Sequence, residues 1–214
     1  MTSTVLRTES KKCNIALVRI DELRPHEKGS PVYLELLGRE ILKDGLLRYP
    51  IIADERTHVI LDGMHRWLAL KSLGYTFVPV MLVDAFKKPG IHVGRRRIHR
   101  YTRDPDGQVA IEEVISAGLV GKLMEPRSTR HFFPFSKFER IDLPLQLLER
   151  RTPKDVSKYL SQMTPKECRA AIEEWLEEIS EELSFLAKRR GEVEKEKEDF
   201  INRVKTLEND FLNR

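Results

Sequence analysis

Ile60-Leu61-Asp62-Gly63-Met64-His65-Arg66-Trp67, ILDGMHRW, marks the point where an alternating apolar run gives way to a helical spacing. Upstream, HVILD (58–62) and YPIIAD (49–54) read as two strands across a short turn. Downstream, MHRWLALKSLG (64–74) reads as a helix stopped by Gly74, and FVPVMLVD (77–84) as a further strand. A carboxylate, a glycine, a histidine and an arginine therefore crowd one strand-to-helix corner.

Working outward, NIALVRIDEL (14–23) gives a first strand, and RPHEKGSP (24–31) a loop that Pro25, Gly29 and Pro31 keep irregular. VYLELLGREILKDG (32–45) has Leu34, Leu37, Ile41 and Leu42 at helical spacing, with Gly45 as its stop. The succession strand, loop, helix, strand pair, helix, strand indicates a small α/β domain. RRRIHRYTRD (95–104) reads as a basic connector, QVAIEEVISAGLV (108–120) as a helix, and MEPRSTRHFFPF (124–135) as a loop. Three regions follow: a polar lead at 1–13, an α/β domain at 14–150, and a helical region at 151–214.

From Pro165 the pattern changes. Ile172, Leu176, Ile179, Leu183, Leu186, Val193, Phe200, Val204, Leu207 and Phe211 recur on alternating steps of four and three. Arg190 and Lys197 fill the remaining seam positions. Such a heptad predicts a coiled coil, formed by one long helix or by a hairpin bent at Gly191. Its apolar stripe needs a cover, so a homodimer or packing on the front domain is expected.

Residues 1–150 carry 25 Lys and Arg against 19 Asp and Glu, whereas 151–214 carry 13 against 15. A basic front half suits anionic partners such as nucleotides. Cys13 and Cys168 are the two cysteines, and no paired Cys/His spacing points to a structural zinc site or a disulfide framework. No apolar window is long enough to span a membrane, and the N-terminus lacks a signal-peptide pattern, so a cytoplasmic protein is expected.

At the corner, a helix N-terminus presents unpaired amides and the positive end of the helix dipole, which attract phosphate. Gly63 lets an anion approach the backbone, and His65 and Arg66 can add charge-assisted bonds. Asp62 can cap the helix or face a magnesium ion. Two distant clusters complete a candidate set: Glu27 in the loop RPHE (24–27), and Ser128, Thr129, Arg130 and His131 in RSTRH (127–131). Hydroxyls beside arginine and histidine suit a carboxylate ligand. An acid, a phosphate cradle and a carboxylate clamp together suffice for phosphoryl transfer to a small amino acid.

DGMHRW followed by LALKSLGYTFVPV resembles the fold shared by the partition protein B N-terminal domain and sulfiredoxin. More narrowly, RPHE, ILDGMHRWLALKSLG and PRSTRHFFPFSKFERIDLPLQLL resemble, in order, the archaeal free serine kinases. This resemblance covers roughly residues 14–148 and implies a small mixed-sheet domain of the ParB/sulfiredoxin type. It implies phosphorylation of free L-serine to O-phospho-L-serine with ATP or ADP and magnesium, on a route to cysteine. Glu27 would deprotonate the serine hydroxyl. Asp62, Gly63, Met64 (through its backbone), His65 and Arg66 would handle phosphate, and Ser128, Thr129, Arg130 and His131 would grip the amino acid. Metal ligands are not assigned. Met64 stands where the family often has a second histidine, and residues 85–107 leave no room for the extra domain of longer members. The rival reading is a ParB-like nucleotide- and DNA-binding protein using Arg95, Arg96, Arg97, His99 and Arg100. Nucleic acid is disfavoured as a partner because DNA binding gives STRH no role. Sulfiredoxin chemistry is excluded, since Met64 occupies the position of the required cysteine.

Overall fold

A computed structural model of the chain describes residues 15–87, 90–95, 108–126, 128–135, 140–164 and scattered positions from 166 to 202. By internal contacts the chain divides into two units, Met1–Gln162 and Met163–Arg214. Residues 151–162, placed by the sequence reading with the C-terminal region, thus group with the first unit, and Val156 lies in its core.

The first unit is built on a four-stranded sheet ordered β1-β5-β3-β4, from β1 (Ile15–Arg19), β3 (Ile51–Asp54), β4 (Ile60–Asp62) and β5 (Phe77–Val83). β1 runs antiparallel to β5 and β4 antiparallel to β3, while β3 and β5 are parallel. Parallel neighbours need a crossover, which β4 and helix α2 (Met64–Ser72) provide. Strand alternation divides the core between the two sheet faces. Ile51, Ala53, Ile60, Val78 and Val80 pack on one side with Trp67, Leu68 and Leu70 of α2 and Ile41 of α1 (Pro31–Asp44). Ile52, Leu61 and Met81 pack on the other with Val114 and Ile115 of α3 (Ile111–Val120).

The second face also carries a three-stranded sheet, β7-β6-β8, from β6 (His92–Arg95), β7 (Gln108–Val109) and β8 (Thr129–Phe132). The segment expected to be a loop at 124–135 therefore contains a strand, antiparallel to β6 in the register Gly94↔Arg130 and Val93↔His131. Arg95, read as the start of a connector, ends β6; residues 96–107 lie outside the described set. β2 (Leu46–Leu47) pairs with β9 (Leu143–Pro144). Leu145, Leu148 and Val156 then cover α2, where the Trp67 and Tyr159 rings meet edge-on at 5.0 Å.

In the second unit every described residue from Lys166 to Asn202 is helical. Thr164 and Glu167 form a capping box: the Thr164 amide donates to the Glu167 carboxylate at 2.7 Å, and the Glu167 amide to the Thr164 hydroxyl at 3.3 Å. Residues 190–195 are helical through Gly191, so the chain does not bend there. Of the heptad seam, Leu176, Leu183 and Val193 are described and exposed. Ile172, Ile179, Leu186, Phe200, Val204, Leu207 and Phe211 lie outside the described residues. No helix in the described residues is long and apolar enough to cross a membrane.

Candidate active site

The loop between β1 and α1 is held by its own peptide groups. Arg24 donates its amide to His58 and accepts from the Ile60 amide, both at 2.9 Å. His26 and Lys28 bracket Met124, whose amide donates to His26 O and whose carbonyl accepts from the Lys28 amide. Gly29 bonds Tyr159 and Ser161. A Cβ on Gly29 would lie 2.2 Å from Leu68 Cδ1, so only glycine lets the loop press this closely on α2. Glu27 is consequently buried, 8% exposed, and not the solvent-facing acid such loops usually carry.

Three distant stretches meet around it. The Thr129 hydroxyl on β8 lies 3.2 Å from Glu27 Oε2 and 2.9 Å from His26 Nε2. His26 Nδ1 lies 2.6 Å from the Ile60 carbonyl. A carbonyl has no hydrogen to give, so Nδ1 donates and, in the neutral ring, Nε2 accepts. Burial pushes the His26 imidazole down to about 4, partly offset by the Ile60 carbonyl. Next along the loop, the Ser30 amide donates to His65 Nε2 at 2.9 Å, which fastens the acid-bearing segment to the tip of α2. Any hydrogen His65 offers a ligand must then come from Nδ1.

The corner is arranged differently from a capped helix. Gly63 is the N-cap residue, at φ 91°, a left-handed conformation that disfavours a side chain, and no side chain caps the first amides. Asp62 does not cap: its carboxylate accepts from Arg66 Nη2 at 2.6 Å, while Arg66 Nη1 donates to the Pro50 carbonyl at 2.7 Å. These bonds orient the guanidinium across the helix tip. The Met64 side chain turns into the core, 5% exposed, leaving only its amide to the site.

On β8, Thr129 and His131 lie toward His26, whose ring meets that of His131 edge-on at 5.3 Å. Arg130 lies over the Phe132 ring at 5.9 Å, the two-residue periodicity of a strand. The Ser128 hydroxyl is buried with no hydrogen-bond partner among the described residues, an acceptor and donor left for a polar ligand. Among those residues no group of three His, Cys, Asp or Glu side chains could hold a metal ion. His26, quoted within RPHE but given no role by the sequence reading, is the functional candidate that reading missed. Its only signal was adjacency to Glu27.

The fold is similar to that of solved free serine kinases. One of these, in complex with AMP, superposes with a TM-score of 0.55 at 17% identity, covering 68% of this chain and 99% of that one. At that identity the likeness is one of fold. In sequence, an ATP-dependent L-serine kinase of Staphylothermus marinus is 38% identical over 74 residues, 33% of this chain and 29% of the relative. A ParB-like protein of Sulfolobus acidocaldarius is 42% identical over 65 residues, 29% of this chain and 31% of that one. The matched stretches thus span less than a third of either relative. No family model matches. The resemblance to free serine kinases holds in sequence over 33% of the chain and in fold over 68% of it.

Proposed function

We propose that the protein is a kinase that transfers the terminal phosphoryl group of ATP or ADP to free L-serine, giving O-phospho-L-serine. The observation that carries this reading is the buried Glu27 carboxylate, bonded to Thr129 of the STRH segment and joined through Ser30 and His65 to the tip of α2. Glu27 takes the proton from the serine hydroxyl as its oxygen attacks the terminal phosphorus. The bond from that phosphorus to the bridging oxygen breaks, and the shortened nucleotide leaves. Phosphoryl transfer asks mainly for alignment and for donors around spread charge. The amides of Met64, His65 and Arg66, the Arg66 guanidinium and the helix dipole supply those donors. Ser128, Thr129, Arg130 and His131 form the wall for the amino acid.

Magnesium would enter with the nucleotide, since it commonly binds through phosphates, waters and one or two carboxylates. Asp62, partly exposed at the helix tip, would be the carboxylate to hold it, and the ion would neutralise phosphate charge there. The Met163–Arg214 unit is proposed to serve self-association through its exposed Leu176, Leu183 and Val193. The ParB-like reading is disfavoured, because DNA binding has no use for a buried acid bonded to Thr129.

The test is to incubate the protein with magnesium, L-serine and either ATP or ADP, and to assay phosphoserine. Product with one donor is expected, and Glu27→Gln should fold normally yet lose most of it. Full activity in that variant rules out the base assignment. A salt-sensitive DNA complex with no serine-dependent turnover rules out the kinase.

A further inference from the structure

Resting on the kinase reading, we propose that His26 is a positioning residue that, through the Thr129 hydroxyl, favours the protonated form of Glu27 generated during the reaction. The geometry is a chain of four groups: Ile60 O, His26, Thr129 Oγ1 and Glu27 Oε2, at 2.6, 2.9 and 3.2 Å in turn. His26 is 2% exposed, and the direct His26 Nε2 to Glu27 Oε2 separation is 3.9 Å, too long for a hydrogen bond. The threonine is therefore the link.

The direction of the chain follows from counting hydrogens. His26 spends its Nδ1 hydrogen on Ile60 O, so Nε2 of the neutral ring is a bare acceptor. Thr129 owns one hydroxyl hydrogen, and two acceptors compete for it, of which Nε2 is the closer. The bond from Thr129 to an ionised Oε2 is thus contested. Once Oε2 of Glu27 has taken the serine proton, it can donate to Thr129 Oγ1, and Thr129 donates on to Nε2. Each hydrogen of this chain then has one acceptor. No proton passes to His26; the one from serine stays on Glu27 until product leaves and then returns to solvent. A charged His26 would reverse the chain, donating to Thr129 and favouring the carboxylate. Burial opposes that state, and among the described residues the groups facing the ring are the Glu27 carboxylate and the His131 imidazole.

The test compares the wild type, Thr129→Val, Thr129→Ser and His26→Phe by phosphoserine formation against pH. Thr129→Val should lower kcat about tenfold and move the acid limb of the kcat profile down by about one pH unit, one unit being a factor of ten. Thr129→Ser should restore both. His26→Phe should move the limb in the same direction, and its folding is checked by circular dichroism. If it does not fold, Thr129→Val and Thr129→Ser still decide. Nitrogen-15 spectra of the full-length protein should show His26 neutral, with its hydrogen on Nδ1, at pH 7. An unmoved limb with unchanged kcat in Thr129→Val overturns the proposal. So does a rise in KM for serine alone, or a doubly protonated His26 at pH 7. An inactive Glu27→Gln with an unmoved Thr129→Val limb sinks only the relay. A fully active Glu27→Gln sinks the base and the relay together.

Discussion

Gly63→Ala tests the corner most directly. Gly63 sits at φ 91°, where an L side chain costs about 1–2 kcal/mol in backbone strain. Its new Cβ would also lie 2.9 Å from Arg66 Nη2, 3.0 Å from Nε and 3.1 Å from Cζ. Arginine is flexible, so it would swing away, and its bonds to the Pro50 carbonyl and Asp62 would weaken. The Arg66 side chain is 17% exposed, so water replaces those bonds incompletely, at a further cost of about 1–2 kcal/mol. The total of about 2–4 kcal/mol corresponds to a fall in Tm of about 5–15 °C for a protein of this size. A double-mutant cycle separates the two causes by thermal unfolding. In an Arg66→Ala background only the backbone strain should remain, leaving a coupling of about 1–2 kcal/mol. Equal costs in both backgrounds refute the clash. A cost in the wild-type background below about 0.5 kcal/mol refutes the strain as well. Calorimetric titration with nucleotide should show weaker binding in Gly63→Ala, because the same guanidinium lies at the proposed phosphate site.

Three further outcomes are expected. Gly29→Ala should lower stability by about 1–3 kcal/mol in denaturant unfolding, because its Cβ overlaps Leu68 Cδ1. Trp67→Ala should cost about 3–5 kcal/mol, since Trp67 is fully buried and donates Nε1–H to Ile20 O at 2.9 Å. For pH, His26 falls from 6.5 unfolded to about 4 folded, so between those values only the unfolded chain binds its proton. Its contribution, up to about 3 kcal/mol, is therefore present above pH 6.5 and lost as pH drops toward 4. Urea midpoints across that window should fall for the wild type and flatten for His26→Gln; equal slopes would argue against a neutral buried ring.

Much of the fold is written in short-range pattern. The helices at 31–44 and 64–72 and the strands at 51–54, 60–62 and 77–83 follow apolar spacing and the glycine and proline stops. β6 and β8 escaped because their pairing joins segments nearly forty positions apart. Thr129-Arg130-His131-Phe132 carries a threonine, a charge, an imidazole and a ring, a composition that reads as a polar turn until Gly94 and Val93 are set beside it. The buried state of Glu27 was equally hidden, since it depends on backbone bonds to Met124 and on the close approach at Gly29. The Asp62–Arg66 pair was open to inspection, being an i,i+4 spacing of opposite charges. The competing view of Asp62 as a cap obscured it.

The path of residues 24–29 is drawn by peptide groups bonded to residues 58–60, 124 and 159–161. Side-chain bonds from His26, Glu27 and Lys28 add to that route. A lane laid down this way tolerates exchange of what it displays. The reactive group at position 27 could be replaced without rerouting the loop that carries it, so the scaffold can change its chemistry while keeping its shape.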